Sequence, residues 1–253
     1  MYYCLIYFII GTILGSFFFV AGSRGPIGEK YLWNKSRCDI CKKELKWYEL
    51  IPLFSFLFQK GKCNSCKQPI DRTHFIVELC SGILFTTGYY LYLNTPHLLM
   101  YFILISVMLL IFISDFKYMI ILDSTLVVGS TLYIIVLLIF FGFNTALVHI
   151  LSGLGLFITL LAFKKLGDII FKKESMGGGD IKLAFFMGLV LNYQLGLVAL
   201  ILSTFLALPY ALAITYFNKK NELPYGPFLI AACVLVFVFI DKFSAVLEVF
   251  NIF

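Results

Sequence analysis

Long apolar runs, set one after another with only short breaks, constrain this chain more than any other feature. Eight such segments are read, at about 2–21, 75–93, 97–114, 124–142, 145–163, 181–192, 195–217 and 227–248. A helix needs roughly 17–25 predominantly apolar residues to cross a bilayer. The sixth segment falls short of that and is expected to tilt, to begin inside the glycines before it, or to cross only in part. Of 253 residues, 61% are apolar or aromatic and 13% are charged, against about a quarter charged in a soluble domain. The expected fold is therefore an all-α polytopic membrane protein, with about eight transmembrane helices and one small polar insert. Three parts are expected: residues 1–22 as a first transmembrane helix, 23–74 as the insert, and 75–253 as a membrane bundle.

Charge placement orients the chain. Eleven of the twenty Lys and Arg lie from Arg24 to Arg72. Lys117, Lys164, Lys165, Lys172, Lys173, Lys182, Lys219 and Lys220 fall on the same side of the alternating segments. The opposite connections, around residues 94–97, 142–144 and 192–194, carry no Lys or Arg, and Lys242 is the lone basic residue on the far side. Basic loops stay in the cytoplasm. Both termini are thus expected outside and the insert inside, in a multi-pass cell-membrane protein. The first segment lacks a basic stretch before it and is as long as a span, so it reads as an uncleaved helix rather than a signal peptide. The net charge of +6 is accounted for by inner-face loops. Anionic lipid is the expected partner for them, and nucleic acid is not.

The insert carries Cys38, Cys41, Cys63 and Cys66 as two C-x2-C pairs with 21 residues between them. That spacing is a zinc signature: each pair makes a knuckle, and four thiolates close a tetrahedron. The reducing cytoplasm favours thiolates over disulfides. About fifty residues make a weak core by themselves, so a structural Zn2+ is expected to supply folding energy. The apolar stretch Trp47–Leu57 is too short and too broken by Pro52 to cross, and it is expected at the membrane surface or over the helix mouths.

Two aspartates stand at inner ends of apolar segments. Asp115 closes Ile113-Ser114-Asp115, and Asp180 follows Gly177, Gly178 and Gly179. Two segments separate them, so both fall on the cytoplasmic side. Carboxylates at the edge of lipid are costly and point to function. A pair suggests aspartic protease chemistry, with one group activating water and the other polarising a carbonyl. Asp180 also suits a helix N-cap, and the two roles are compatible. Its glycines would let an extended backbone approach. Asp123, before Ser124-Thr125-Leu126, reads as a cap. Lys182 reads either as an inner-face anchor or as a residue ordering the acidic site. Glu78 reads either as an interfacial residue or as one facing protein. Rival readings are a non-catalytic zinc-stabilised scaffold for pilus or secretion assembly, which needs neither aspartate, and a small transporter. Transporters carry midplane acids and internal repeats; here the acids lie at one face.

These motifs, in this order, resemble the type IV prepilin peptidases, including those of competence systems. Residues Gly11 to Val20 look like the family's opening G-x-x-x-G-S-F-x-N-V. Ser36 to Cys66 is similar to its cysteine domain, with Ile51-Pro52-Leu53-Phe54-Ser55 inside it. Glu78 matches an acidic position in the second span. Ser114-Asp115 through Ile121-Leu122-Asp123 looks like the first aspartate motif. Gly177 to Leu183 matches G-x-G-D-x-K-L, and Leu223-Pro224-Tyr225-Gly226-Pro227-Phe228 resembles P-x-G-P-F. The resemblance implies a GxGD-type aspartic endopeptidase with Asp115 and Asp180 as its catalytic pair. Gly177, Gly178, Gly179 and Lys182 would form the catalytic loop, and Glu78 and Asp123 would support it. It implies removal of the basic leader of prepilins or pseudopilins. In many members the new amine is then methylated with S-adenosylmethionine. Phe19 stands where the family usually has asparagine, and Leu122 where it usually has proline.

Overall fold

The computed structural model describes residues 2–29, 36–38, 40–93, 95–217 and 223–249. Lys30, Lys35, Lys219 and Lys220, which entered the orientation argument, lie outside the described residues, as do Asp39, Asn94 and both chain ends. The regular elements among the described residues are all helical. They are α1 (Tyr2–Arg24), a 3-10 turn (Trp47–Leu50), α2 (Phe54–Phe58), α3 (Arg72–Leu91), α4 (Pro96–Tyr118), α5 (Asp123–Phe140), α6 (Phe143–Phe171), α7 (Gly178–Phe217), α8 (Gly226–Val238) and α9 (Ile240–Val249). They form two compact units, Met1–Ser114 and Asp115–Phe253.

In the first unit, α1 and α3 touch backbone to backbone. A Cβ on Gly11 would lie 2.7 Å from the Ser81 carbonyl oxygen and 2.9 Å from the Gly82 Cα. Ser81 Oγ donates to the Gly11 carbonyl at 2.7 Å, in a buried hydrogen bond. Lipid gives helices no hydrophobic drive to associate, so close approach and a bond of this kind hold them together. Asp71 starts α3 as its N-cap, its carboxylate accepting from the Thr73 amide at 2.9 Å.

α4 has 23 residues, about 35 Å at 1.5 Å per residue, enough for a hydrocarbon core of about 30 Å. It ends in a left-handed turn. Met119 has φ 55°, and its amide returns to the Asp115 carbonyl at 2.8 Å, which closes the helix C-terminus.

The second unit is built on α5, α6, α7 and α8. α6 and α7 pack as closely as α1 and α3: a Cβ on Gly188 would meet the Ser152 carbonyl at 2.7 Å and the Gly153 Cα at 2.8 Å. One residue in α7, Asn192, leaves the helical range at φ 66°, ψ 172°. It divides α7 into 178–191 and 193–217. The first part, at about 21 Å, is too short to cross alone.

All eight predicted apolar segments lie in helices, though not each in a separate long one. Five helices are long and apolar enough to cross: α1, α4, α5, α6 and α7. The pair Gly226–Val238 and Ile240–Glu248, bent by 83°, makes a sixth if taken together. α3 carries Arg72, His74 and Glu78 toward its start, and these dilute its apolar character. The sixth and seventh predicted segments run into one another through Asn192 in place of a loop. The last predicted segment is broken at Phe239, and Asp241, Lys242 and Glu248 lie beyond the bend.

Candidate active site

Two helix starts and one helix end converge in the second unit. The left-handed turn after α4 sends Ile121 between two glycines. A Cβ on Gly179 would meet the Ile121 Cβ at 3.0 Å, and one on Gly226 would meet the Ile121 Cδ1 at 2.8 Å. Ile121 thus joins the start of α7 to the start of α8, a role the sequence reading, which had it only as part of the first aspartate motif, did not assign.

Asp115, in the last turn of α4, is 5% exposed. Its Oδ2 accepts a buried hydrogen bond from the Gly226 amide at 3.1 Å. That amide belongs to the first turn of α8, where no carbonyl within the helix can receive it. Pro227 follows, at the position where a helix start tolerates proline. A Cβ on Gly226 would stand 2.9 Å from Asp115 Oδ2, so glycine is required here for carboxylate and backbone to meet.

Asp180 lies in the first turn of α7. Its carboxylate turns back on Gly177 and takes a hydrogen bond from the backbone there, as the third residue of a helix does in a capping box. The expected N-cap position is not the one it takes: Asp180 is the third residue of α7, which begins at Gly178, and it caps from inside the helix. Asp115 and Asp180 are near enough for their charges to act on one another. Each carboxylate also meets an orphan amide at the positive end of a helix dipole.

Lys182 and Asp123 pair with each other. Lys182 Nζ donates to both oxygens of Asp123 at 2.7 Å. The expected cap role for Asp123 is not what the structure shows: Leu122 is the N-cap residue of α5, and no side chain caps it. The Asp123 carboxylate is drawn instead to a full positive charge. Leu122 has φ −71°, the angle a proline would impose. The departure from the family's proline at this position therefore leaves the backbone path unchanged.

The first unit holds the cysteines. The sulfurs of Cys38, Cys41, Cys63 and Cys66 all lie within 4.8 Å of one another, and Cys38 and Cys66 are 3.9 Å apart. A tetrahedral zinc with bonds of about 2.3 Å would set sulfurs about 3.8 Å apart. The two knuckles repeat one design. The Lys42 amide returns to the Cys38 carbonyl at 3.0 Å, and the Lys67 amide to the Cys63 carbonyl at 2.9 Å. Lys42 and Lys67 take φ 58° and 59°, and a bridge closes each knuckle, Arg37 with Glu44 and Lys62 with Pro69. The amides of Cys66 and Ser65 pull the Cys63 thiol down to about 7. The Gln68 amide also favours the Cys66 thiolate, but burial and the sulfurs of Cys63, Cys41 and Cys38 push that thiol up to about 11. Four thiols this close do not all ionise unaided, and a bound dication supplies the missing charge. The donor set and spacing fit zinc.

Glu78, 2% exposed, faces protein. Its Oε2 accepts from the Leu53 amide at 2.7 Å, and its Oε1 lies 3.7 Å from His74 Nε2. Leu53 is held at φ 61°, ψ −52°, and the Phe54 amide reaches the Pro52 carbonyl at 2.7 Å. This is a γ-turn of the strained hand, which needs support from its surroundings. Phe19, the other departure from the family pattern, packs edge-on against the His74 ring at 4.6 Å. Replacing Glu78 by alanine would strand the Leu53 amide. The expected loss is about 1–3 kcal/mol, read as a lower melting temperature of detergent-solubilised protein, with Glu78→Gln losing less because it keeps an acceptor.

The family described as bacterial peptidase A24 N-terminal domain matches residues 9–92, and the type IV leader peptidase family matches residues 102–212. The chain is similar to the prepilin leader peptidase/N-methyltransferase of Bacillus subtilis (strain 168), at 31% identity over 246 residues, covering 94% of each chain. It is also similar to the protein of the same name from Vibrio cholerae serotype O1, at 30% identity over 253 residues, covering 93% of this chain and 96% of that one. A Myxococcus xanthus protein with this name matches at 28% over 187 residues, covering 74% of this chain and 56% of the relative. No solved structure matches the chain.

Proposed function

This chain belongs to the type IV leader peptidase family, and from that premise we propose that it is a membrane aspartic endopeptidase of the GxGD type. Its substrates are prepilin-like proteins of type IV pilus, competence or secretion systems, whose basic leader it removes at the cytoplasmic face. The observation that carries this reading is the convergence of the α4 end, which bears Asp115, with the starts of α7, which bears Asp180, and α8, around Ile121. One ionised aspartate takes a proton from water, and the resulting hydroxide forms a bond to the scissile carbonyl carbon. The other, protonated, gives its proton to the carbonyl oxygen. Collapse of the tetrahedral intermediate re-forms the carbonyl, returning one hydroxyl proton to the second aspartate, and breaks the C–N bond, while the proton taken from water passes to the leaving amine.

The same reading takes residues 1–22 as the first helix, 23–74 as a zinc-stabilised cytoplasmic insert and 75–253 as the peptidase bundle, with both termini outside. Gly177, Gly178 and Gly179 admit the extended backbone at the cut. Lys182 and Asp123 tie α7 to α5 at the inner face. The cysteines hold a structural Zn2+, and basic loops face anionic lipid. N-methylation of the new amine follows as a second activity, with S-adenosylmethionine as the methyl donor.

Recognition rests on the substrate's apolar helix, which can lie laterally against the bundle. The insert is rich in Lys and Arg and does not attract a basic leader by charge, beyond local acids such as Glu29, Glu44 and Glu49. Co-expression with a prepilin-type substrate should give leader loss, seen as a mobility shift. A soluble peptide with the same cleavage sequence and no apolar helix should be cut at least tenfold more slowly. Equal cleavage of both would refute this mode of recognition, and no cleavage of the full substrate would favour a scaffold.

A further inference from the structure

The carboxylates are not the only polar groups brought to this place. Tyr225 stands immediately before α8, and its neighbour Gly226 donates to Asp115. Whatever fixes Tyr225 therefore bears on the amide that holds Asp115. Tyr225 is itself anchored. Its hydroxyl is 2.7 Å from Ser203 Oγ, on a residue of α7 that is 0% exposed. Ser203 Oγ also makes a 2.6 Å hydrogen bond to the Leu200 carbonyl, which can only accept. A serine hydroxyl has one hydrogen. Both contacts are satisfied together only when Ser203 donates to Leu200 and Tyr225 donates to Ser203. The phenol's proton is then committed to Ser203, which fixes Tyr225 on α7.

We infer that Tyr225, fixed by Ser203, is a positioning residue of the peptidase site. Its hydroxyl, held on α7 by Ser203, seats the α8 start so that the Gly226 amide engages Asp115. This rests on the reading of Asp115 and Asp180 as the catalytic pair. In the sequence Tyr225 shows only as part of the P-x-G-P-F resemblance, and Ser203, in the middle of an apolar segment, has no visible partner without a fold.

The test is leader cleavage by full-length Tyr225→Phe, Ser203→Ala and the double variant in detergent or proteoliposomes, with kcat and KM followed across pH. Tyr225→Phe keeps the ring and removes only the hydroxyl. It should lower kcat roughly tenfold, the scale of one hydrogen bond, leave KM near its wild-type value and displace the pH–rate profile. Ser203→Ala should displace the profile in the same direction. The double variant should be no worse than Tyr225→Phe alone, because both remove one connected unit. A wild-type pH profile in Tyr225→Phe, whatever its kcat, would overturn the inference, as would additive losses in the double variant. Either result leaves the dyad reading standing, because that reading is decided separately by the aspartate variants.

Discussion

Asp180→Asn and Asp115→Asn are each expected to stop leader removal while the protein still inserts and folds. Neither carboxylate can do the other's work. A single group cannot take a proton from water and at the same moment give one to the carbonyl oxygen. Positioned acid or base catalysis contributes typically 10²–10⁴-fold, so each substitution should lower the rate by about 10³-fold or more. Asparagine keeps the size of the side chain and an acceptor for the Gly226 or Gly177 amide, so loss of packing is a poor explanation for such a fall. The measurement is the cleaved fraction of a co-expressed prepilin-type substrate, with membrane levels of each variant checked alongside. Normal processing by either variant would end the aspartic reading and leave the scaffold. Asp123→Ala serves as the contrast. Its carboxylate meets Lys182 at an exposed position, and exposed pairs contribute little, so cleavage should persist.

Loss of metal should have the second large effect. Purified protein should carry one zinc per chain, and Cys63→Ser or Cys38→Ser should abolish stoichiometric binding. Structural zinc sites of this kind supply apparent free energies of about 10–16 kcal/mol. Among the described residues of the insert the regular structure between α1 and α3 is one 3-10 turn and the five-residue α2, which leaves the metal as the main tie. Chelation should therefore make residues 36–70 sensitive to protease, while helices α5 to α8 stay protected. Glu49 reports on the same event. Its carboxylate accepts from the Lys46 amide and from Asn64 Nδ2, each at 2.8 Å, and the Lys46 contact, with the Asn64 bond and nearby lysines, holds it below the usual carboxylate range. Asn64 lies in the second knuckle, so opening the knuckle should release Glu49 toward its ordinary value. Metal retained at full stoichiometry after loss of either knuckle would contradict the four-thiolate site.

Much of this was legible in the chain because it is local. Apolar runs of fixed length must be helical in lipid, where an unpaired backbone amide has no water to turn to. Two C-x2-C pairs build two knuckles wherever the chain places them, and the structure brings their sulfurs together as the spacing predicts. Glycines before Asp180 and a proline after Gly226 announce helix starts in any fold. Where the local signal was weak, reading from sequence erred. Asp123 looked like a cap by position, but the choice between its own helix start and Lys182, 59 residues on, depends on where α7 lies. Likewise 227–248 reads as one apolar run, although the chain bends by 83° within it.

By itself, then, the sequence determined the class of fold, the knuckles and which residue types could do chemistry, because helix formation in lipid and metal-ligand spacing depend on near neighbours. The tertiary structure alone decided how the acids are held. A left-handed turn after α4 puts Ile121 against Gly179 and Gly226, the Gly226 amide meets a carboxylate 111 residues before it, and Ser203 anchors the tyrosine that precedes that amide. These contacts join residues far apart in the chain. Each depends on close approach of helix backbones, which no pattern along one segment encodes.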